Sequence, residues 1–180
     1  MPRQTPRSAF EDYTKGINRA IACITSSVLE SDFRADDFAT ANWQLRLAAG
    51  RPIALRGRYR RIQFRMLQRF TVRDDGPAAA RFRVSPTEYL YEVTADQGSE
   101  ILSYHLHSQK GVTFPHLHLK AGAGDLREEL RDRPHLPSGL VAIQEVVGML
   151  IRDFGVPALR RDWEGILADP RRRILGNQPW

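Results

Sequence analysis

Four of the five histidines in this 180-residue chain form two His-x-His pairs, and their spacing could bring four imidazoles together. The pairs are His105 with His107, and His116 with His118. Alternate side chains of a β-strand point to the same face, so each pair would occupy one face of its own strand. Imidazole titrates near neutral pH and is a common ligand of transition metals. The spacing therefore predicts a site for proton transfer or for metal binding.

The residues between the two pairs predict that the strands form a hairpin. The segment Ser108–Gly111 is typical of a turn. Burial favours the register in which odd positions of the first strand oppose even positions of the second, because only that register gathers the apolar side chains on one face. All four histidines would then share the other face, which is left for solvent or a cleft. The side chains expected to turn toward the core are Tyr104, Leu106, Pro115, Leu117 and Leu119.

One chemistry that suits such a cluster is cleavage of RNA without a metal cofactor. One histidine would take the proton of the 2′-hydroxyl, and another would protonate the leaving oxygen. A cation would stabilise the charge that develops on the phosphate, and Lys120 has the same parity as His118. His135, which follows one proline and shortly precedes another, is a further candidate. The predicted catalytic residues are therefore His105, His107, His116, His118, His135 and Lys120.

The alternative chemistry is a metal centre of a hydrolase or an oxygenase. Three or four neutral imidazoles would hold zinc, manganese or iron, and the predicted ligands are His105, His107, His116 and His118. No carboxylate lies in either predicted strand, and the nearest acids further along the chain follow a flexible Ala-Gly-rich break. Because the metal-free chemistry also accounts for the basic charge of the chain, we rank it slightly ahead, and both hypotheses remain open.

The charge of the chain predicts a polyanionic partner. Lysine and arginine number 27 against 21 for aspartate and glutamate, which gives a net charge of +6. Arginine, which supplies most of the basic residues, pairs bidentately with phosphate, and a basic surface attracts RNA or another nucleic acid. The residues predicted to bind phosphate are Arg61, Arg65 and Arg69.

These arginines lie in a segment, Arg58–Arg73, that could be a strand or a helix. A helix would align Ile62, Met66 and Phe70, with the three arginines on a second stripe. Phe64 and Val72, two further apolar positions of this segment, fit only a period of two. We therefore favour a strand with one apolar and one basic face.

The remaining periodicities predict an α+β fold. Ser8 and Glu11 have the spacing of a capping box, and a helix is expected from there into the twenties. Helices are also expected over about 140–154 and from Pro157 onward. The predicted architecture is an N-terminal helix, an antiparallel β-meander of about five to six strands, and two C-terminal helices packed on one face. We expect a single domain over residues 1–180, with a basic C-terminal tail from about residue 170.

Composition also limits the cellular compartments and the classes of site that are expected for this chain. There is no apolar run of membrane-spanning length, and Met1–Phe10 lacks the apolar core of a signal peptide. One cysteine, Cys23, excludes an internal disulfide and a cysteine-rich zinc motif. A cytoplasmic protein without a membrane partner is therefore expected.

A Phe-Pro-His-x-His motif at 114–118 ends the predicted meander, and Leu136–Ser138 precedes the following helix. In this arrangement residues 104–155 resemble TumE-type toxins of bacterial toxin–antitoxin pairs. The resemblance implies a growth-inhibiting protein with a partner antitoxin. The first pair, His105 and His107, departs from the family's pattern, so roles for those two depend on geometry alone. A third hypothesis is a non-catalytic subunit of a toxin or defence complex that binds nucleic acid or protein.

Overall fold

The computed structural model confirms the predicted α+β class. Its described residues form one antiparallel sheet and three α-helices. The residues that it describes are 4–40, 42–58, 61–76, 82–107, 112, 114–120 and 136–168. The predicted turn at 108–111, His135 and the predicted tail from about residue 170 lie outside these ranges.

The helices and strands have the following bounds. The helices are α1 (Pro6–Ile21), α2 (Ile143–Arg152) and α3 (Trp163–Ala168). The strands are β1 (Leu29–Ser31), β2 (Trp43–Leu47), β3 (Ile53–Arg56), β4 (Arg61–Asp74), β5 (Phe82–Ala95), β6 (Glu100–Leu106), β7 (His116–Leu119) and β8 (Leu136–Pro137).

The order of the strands in the sheet is β1-β2-β4-β5-β6-β7-β8, and β3 pairs with β4 outside this path. From β4 onward each strand pairs with the next one in the chain, as a meander does. The described sheet has eight strands instead of the predicted five to six. The difference arises because β1, β3 and β8 have only two to four residues, too few for a periodic pattern.

Helix α1 begins three residues earlier than its capping signal predicted. Thr5 is the N-cap: its hydroxyl accepts a hydrogen bond from the Ser8 backbone N–H, and the Ser8 hydroxyl accepts one from the Thr5 N–H. Pro6 favours this start, because its fixed φ suits the first turn of a helix and it has no N–H to satisfy. The predicted box of Ser8 and Glu11 is therefore wrong, since Ser8 already lies within the first turn.

Strand β4 resolves the ambiguity of the arginine segment in favour of a strand. Along its 14 residues the side chains alternate between buried and exposed or half-buried, with Phe64, Met66 and Phe70 fully buried. The register with β5 shifts between Arg69 and Phe70, opposite Pro86, which has no N–H to donate to the ladder.

The core contains buried side chains from the sheet and from all three helices. The Tyr13 hydroxyl of α1 donates to Gln68 Oε1 of β4 at 2.8 Å, and the Tyr104 hydroxyl of β6 lies 3.9 Å from the sulfur of Met149 on α2. Helix α2 stops at Arg152, ahead of Gly155, which has φ +67°. Helix α3 begins at Trp163, so the helix predicted from Pro157 starts six residues later. No helix in the described ranges has the length and apolar composition to cross a membrane.

Candidate metal centre on the histidine hairpin

Strands β6 and β7 pair in the register that burial predicted. His105 lies opposite His116, and Ser103 lies opposite His118. Odd positions of β6 therefore oppose even positions of β7, and the two His-x-His pairs share one face of the sheet. Tyr104, Leu106, Leu117 and Leu119 pack against the core on the other face, as expected.

The four imidazoles form a compact cluster with a central pair. His105 and His116, the directly opposed residues, have ring centroids 5.5 Å apart. Each also contacts both other rings. The ring centroid of His105 lies 6.0 Å from that of His107 and 4.8 Å from that of His118. The centroid of His116 lies 5.2 Å from that of His107 and 4.8 Å from that of His118. This is the pattern expected of opposed and diagonal neighbours in an antiparallel pair.

Three of these side chains have the proximity that a shared metal ion requires. One ring nitrogen from each of His105, His116 and His118 lies within 4.8 Å of the other two. Imidazole nitrogens bound tetrahedrally to one zinc ion are separated by about 3.3 Å, from Zn–N bonds near 2.0–2.1 Å. Small rotations of the rings would therefore bring the three nitrogens to coordinating distance.

The burial of the cluster distinguishes between the two surroundings expected for its face, which were solvent and a cleft. His116 is fully buried, whereas His105, His107 and His118 are half-buried. The central position of His116 accounts for part of this burial, because the other three imidazoles and the ring of Phe114, with its centroid 5.9 Å away, lie around it. The predicted cleft is therefore the better description of this surface.

Hydrogen bonding determines which nitrogen of His116 carries its proton in the neutral form. Nδ1 lies 2.9 Å from the carbonyl oxygen of Phe114. A carbonyl only accepts, so Nδ1 carries the proton and donates, and the lone pair is on Nε2. Metal-binding histidines commonly hold their orientation through such a bond to a backbone carbonyl.

A second chain of hydrogen bonds orients His105. The Ser103 hydroxyl donates to Glu100 Oε1, and Nε2 of His105 lies 2.9 Å from the same hydroxyl. Because the single hydroxyl proton of Ser103 points to the carboxylate, His105 donates through Nε2–H and carries its lone pair on Nδ1. A carboxylate therefore acts on the cluster through a serine, which corrects the expectation that neither strand carries an acid.

Glu100 comes within reach of Ser103 because of an irregularity in the sheet. Strand β6 begins at Glu100, and its register with β5 shifts after Val93. The shift changes the parity of the strand, so Glu100 bonds Ser103 although the two residues are three positions apart. Sequence alternation alone would place the two side chains on opposite faces.

The arginines predicted to bind phosphate lie on the histidine face, two strands away from β6. Nε of Arg65 lies 2.8 Å from Oε2 of Glu92, at an angle unsuited to a linear hydrogen bond, and Nη1 of Arg69 lies 3.3 Å from Oε2 of Glu88. Both glutamates belong to β5, between the arginines and the histidines. The two ion pairs reduce the positive charge available to a phosphate, and phosphate binding by these residues stays a prediction.

Of the other predicted residues, Arg61 and Lys120 are among those that the structure describes. Arg61 is exposed at the start of β4, and its cross-strand neighbour on β3 is Arg56. Lys120 directly follows β7, where its backbone N–H donates to the carbonyl of Ile101 at 3.1 Å. His135 lies outside the described residues, so the structure does not describe its relation to the other four histidines.

A cavity of about 270 Å³ adjoins the cluster on the same face and includes His105 and His107 in its wall. It extends across β5 and β4 to β2. Sequence reasoning missed Arg46 of β2, which lies at the far side of this cavity, as it missed Ser103 and Glu100. The alternation of β2 indicates which face Arg46 occupies, but only the strand order shows that this face also carries the histidines.

In comparisons with protein-family models, curated proteins and solved structures, none matched this chain. The resemblance to TumE-type toxins therefore stays a prediction.

Proposed function

We propose that this chain is a metal-dependent hydrolase whose divalent ion is held by His105, His116 and His118. The observation that carries the proposal is the convergence of one ring nitrogen from each, all within 4.8 Å of one another. Three histidine ligands are typical of catalytic zinc sites, in which a further coordination position stays open to water or substrate.

The hydrogen bonds around the cluster support a metal centre. His105 donates to Ser103 and His116 donates to the Phe114 carbonyl, so each neutral ring keeps a lone pair on its other nitrogen. Partners of this kind fix the tautomer and orientation of ligands and increase their basicity. The Glu100 carboxylate is linked to His105 through Ser103, and its negative charge favours binding of a cation by that imidazole.

A divalent ion held by these residues would supply a Lewis acid, which could polarise a substrate carbonyl or activate water near neutral pH. His107 is outside the group of three, but its ring contacts both His105 and His116, and it lines the adjoining cavity. We assign to His107 the transfer of a proton to or from a substrate in that cavity.

The side chains on the opposite face support a position of the described helices away from the histidines. Tyr89 and Tyr104 point toward the helices, since the Tyr89 hydroxyl accepts from the Val141 N–H at 3.2 Å and the Tyr104 hydroxyl lies near Met149. We infer that α2 and α3 pack together on this opposite face, where the core contains buried side chains from both. A substrate would then approach the histidines without displacing any of the three described helices.

A second candidate is the toxin-like cleavage of RNA by the histidines as general acid and base, in a protein with an antitoxin partner. The observation that favours it is the position of Arg65 and Arg69 on the histidine face. We rank it second because both arginines are paired with glutamates that would repel a phosphate backbone.

The two candidates differ in their response to a chelator. We expect protein prepared without a histidine tag to hydrolyse an activated ester, 4-nitrophenyl acetate, faster after reloading with zinc than after chelation. His118→Ala should abolish the zinc-dependent increment, whereas His107→Ala should retain zinc and lower kcat. Equal rates with and without zinc would contradict the hydrolase. Cleavage of a single-stranded RNA that persists in chelator and is lost in His118→Ala would favour the second candidate instead.

A further inference from the structure

The cavity beside the histidines has the composition of a small-molecule site. Its volume is about 270 Å³, slightly below the usual range of about 300–1,000 Å³ for ligand pockets. Leu67 and Leu90 give it an apolar portion on the histidine face, with Arg46 of β2 at one end and His105 of β6 at the other. The polar residues of the histidine face in its lining are Gln44, Arg46, Arg69, Glu88, His105 and His107.

The register of four neighbouring strands aligns the two ends of this cavity. Arg46 of β2 pairs with Leu67 of β4, Leu67 pairs with Leu90 of β5, and Leu90 pairs with His105 of β6. Three strand spacings separate the backbones of Arg46 and His105, a distance of about 14 Å. The two leucines between them are half-buried and provide a continuous apolar surface.

Arg46 is the cation at the end of the cavity remote from the imidazoles. Its Nε is buried, and no hydrogen-bond acceptor among the described residues reaches it. Its cross-strand neighbour Glu30 is exposed and forms no ion pair with it in the described ranges. Arg69, in contrast, is paired with Glu88. The charge lining the cavity is therefore positive, and Arg46 provides it.

The backbone beside Arg46 has an unusual conformation. Ala48, Ala49 and Gly50 follow β2 with φ of 49°, 55° and 84°, so three consecutive residues adopt left-handed conformations. The position that a Cβ would occupy at Gly50 is 3.5 Å from Cδ of Arg46 and 3.4 Å from Cδ2 of Leu67. This strained turn lies beside the stem of Arg46 at the edge of the cavity, close enough that a methyl group at position 50 would contact it.

We propose that the substrate of this site is a small organic monocarboxylate that extends across the sheet from Arg46 to His105. The planar guanidinium of Arg46 binds the carboxylate in a bidentate manner, and its single charge matches a monoanion. Leu67 and Leu90 contact the apolar body, and the opposite end of the molecule lies at the imidazoles. The reaction at that end depends on the proposed hydrolase, whereas binding of the carboxylate at Arg46 does not.

Calorimetric titration of chelated protein with straight-chain acids from butanoate to octanoate tests this proposal. We expect saturable binding that tightens about three- to fourfold for each methylene, the change that burial of one CH₂ at about 0.8 kcal/mol produces. Hexanamide, which has the same length without the charge, should bind at least tenfold more weakly than hexanoate. The matched variants are Arg46→Gln and Arg51→Gln, because Arg51 is exposed and does not line the cavity.

Arg46→Gln should weaken hexanoate binding by about 10- to 100-fold, as expected for loss of a charge-assisted hydrogen bond, and Arg51→Gln should leave it unchanged. Absence of saturable hexanoate binding, equal affinity for hexanamide, or an equal effect of the two variants would overturn the proposal. Binding that depends on Arg46 in a chain that fails to bind zinc would support the carboxylate site and refute the metal centre, so the two failures are distinguishable.

Discussion

His105 and His116 lie directly opposite each other on β6 and β7, and each contacts the other two imidazoles of the cluster. Their opposition follows from burial of the leucine face behind them, because a slip of one residue would transfer an entire set of side chains to the other face. The same packing that stabilises the hairpin therefore brings the three proposed ligands together.

Ser103 should be a positioning residue for the metal centre. It is fully buried, and its hydroxyl connects the Glu100 carboxylate to the imidazole of His105. Ser103→Ala removes this connection and leaves the ring of His105 free to change its tautomer. We expect zinc affinity to fall by about 10- to 100-fold, the usual effect of losing a partner of this kind. Competition with a chromophoric chelator measures the change.

The matched control for Ser103→Ala is Ser99→Ala, since Ser99 is exposed in the turn before β6. Its zinc affinity should equal that of the unmodified chain. If Ser103→Ala folds, as judged by circular dichroism, and also binds zinc with unchanged affinity, the proposed connection through Ser103 has no role in the site.

The hairpin register and the strand character of β4 could be predicted from the sequence because both depend on alternation over many residues. In β4, Phe64 and Val72 distinguished a period of two from a helical period, and both are buried. For β6 and β7, the apolar side chains share one face only when odd positions of β6 lie opposite even positions of β7. Patterns of this length contain enough apolar positions to determine which face is buried.

The polar partners of the cluster could not be predicted in the same way. Glu100 bonds Ser103 only because the register shifts beside it, and a shift of this kind leaves no periodic signal. Glu88 and Glu92 could be assigned to the outer face of β5 by alternation, but their pairing with arginines depends on the order of the strands. Short elements such as β8, and caps such as that of Thr5, depend on single contacts.

Gly155 should be essential for the end of α2. It has φ +67°, and a Cβ there would lie 2.5 Å from Cβ of Arg58, whose N–H donates to the carbonyl of Phe154 at 2.9 Å. We expect Gly155→Ala to lower the free energy of unfolding by at least about 1–2 kcal/mol, from the cost of a left-handed alanine and the displacement of Arg58. Urea denaturation measures the change.

Gly165 provides the control for this substitution. It lies within α3, is exposed, and has nothing within 4 Å of the position of a Cβ. Gly165→Ala should therefore raise the free energy of unfolding by about 0.5–1 kcal/mol. If both variants shifted stability in the same direction, the contacts at Gly155 would not explain its effect.

Two buried tyrosines should make the fold sensitive to alkaline pH. The Tyr13 hydroxyl donates to Gln68 Oε1, and Gln68 Nε2 donates to the Tyr91 hydroxyl. Burial raises the pKa of both phenols above the usual value near 10. Because the unfolded chain releases these protons at lower pH than the folded chain, their stabilisation is complete below about pH 10 and is lost as the pH rises toward the folded pKa.

Tyr13→Phe removes one of these two groups. Between about pH 10 and 11, the decline in the free energy of unfolding should be shallower in this variant, by up to about 1.4 kcal/mol per pH unit. At neutral pH the variant should be about 1–3 kcal/mol less stable, since Gln68 Oε1 loses its donor in the core. Identical slopes for the two proteins above pH 10 would show that Tyr13 does not titrate as its burial implies.

The metal content of protein purified without a histidine tag is the most direct test of the three-histidine centre. Elemental analysis after dialysis should find one divalent transition-metal ion per chain. The content should persist in His107→Ala and fall to background in a His105→Ala/His118→Ala double variant that retains its circular dichroism spectrum. Full content in the double variant, or no ion in the unmodified chain after incubation with zinc, would contradict the proposed metal centre.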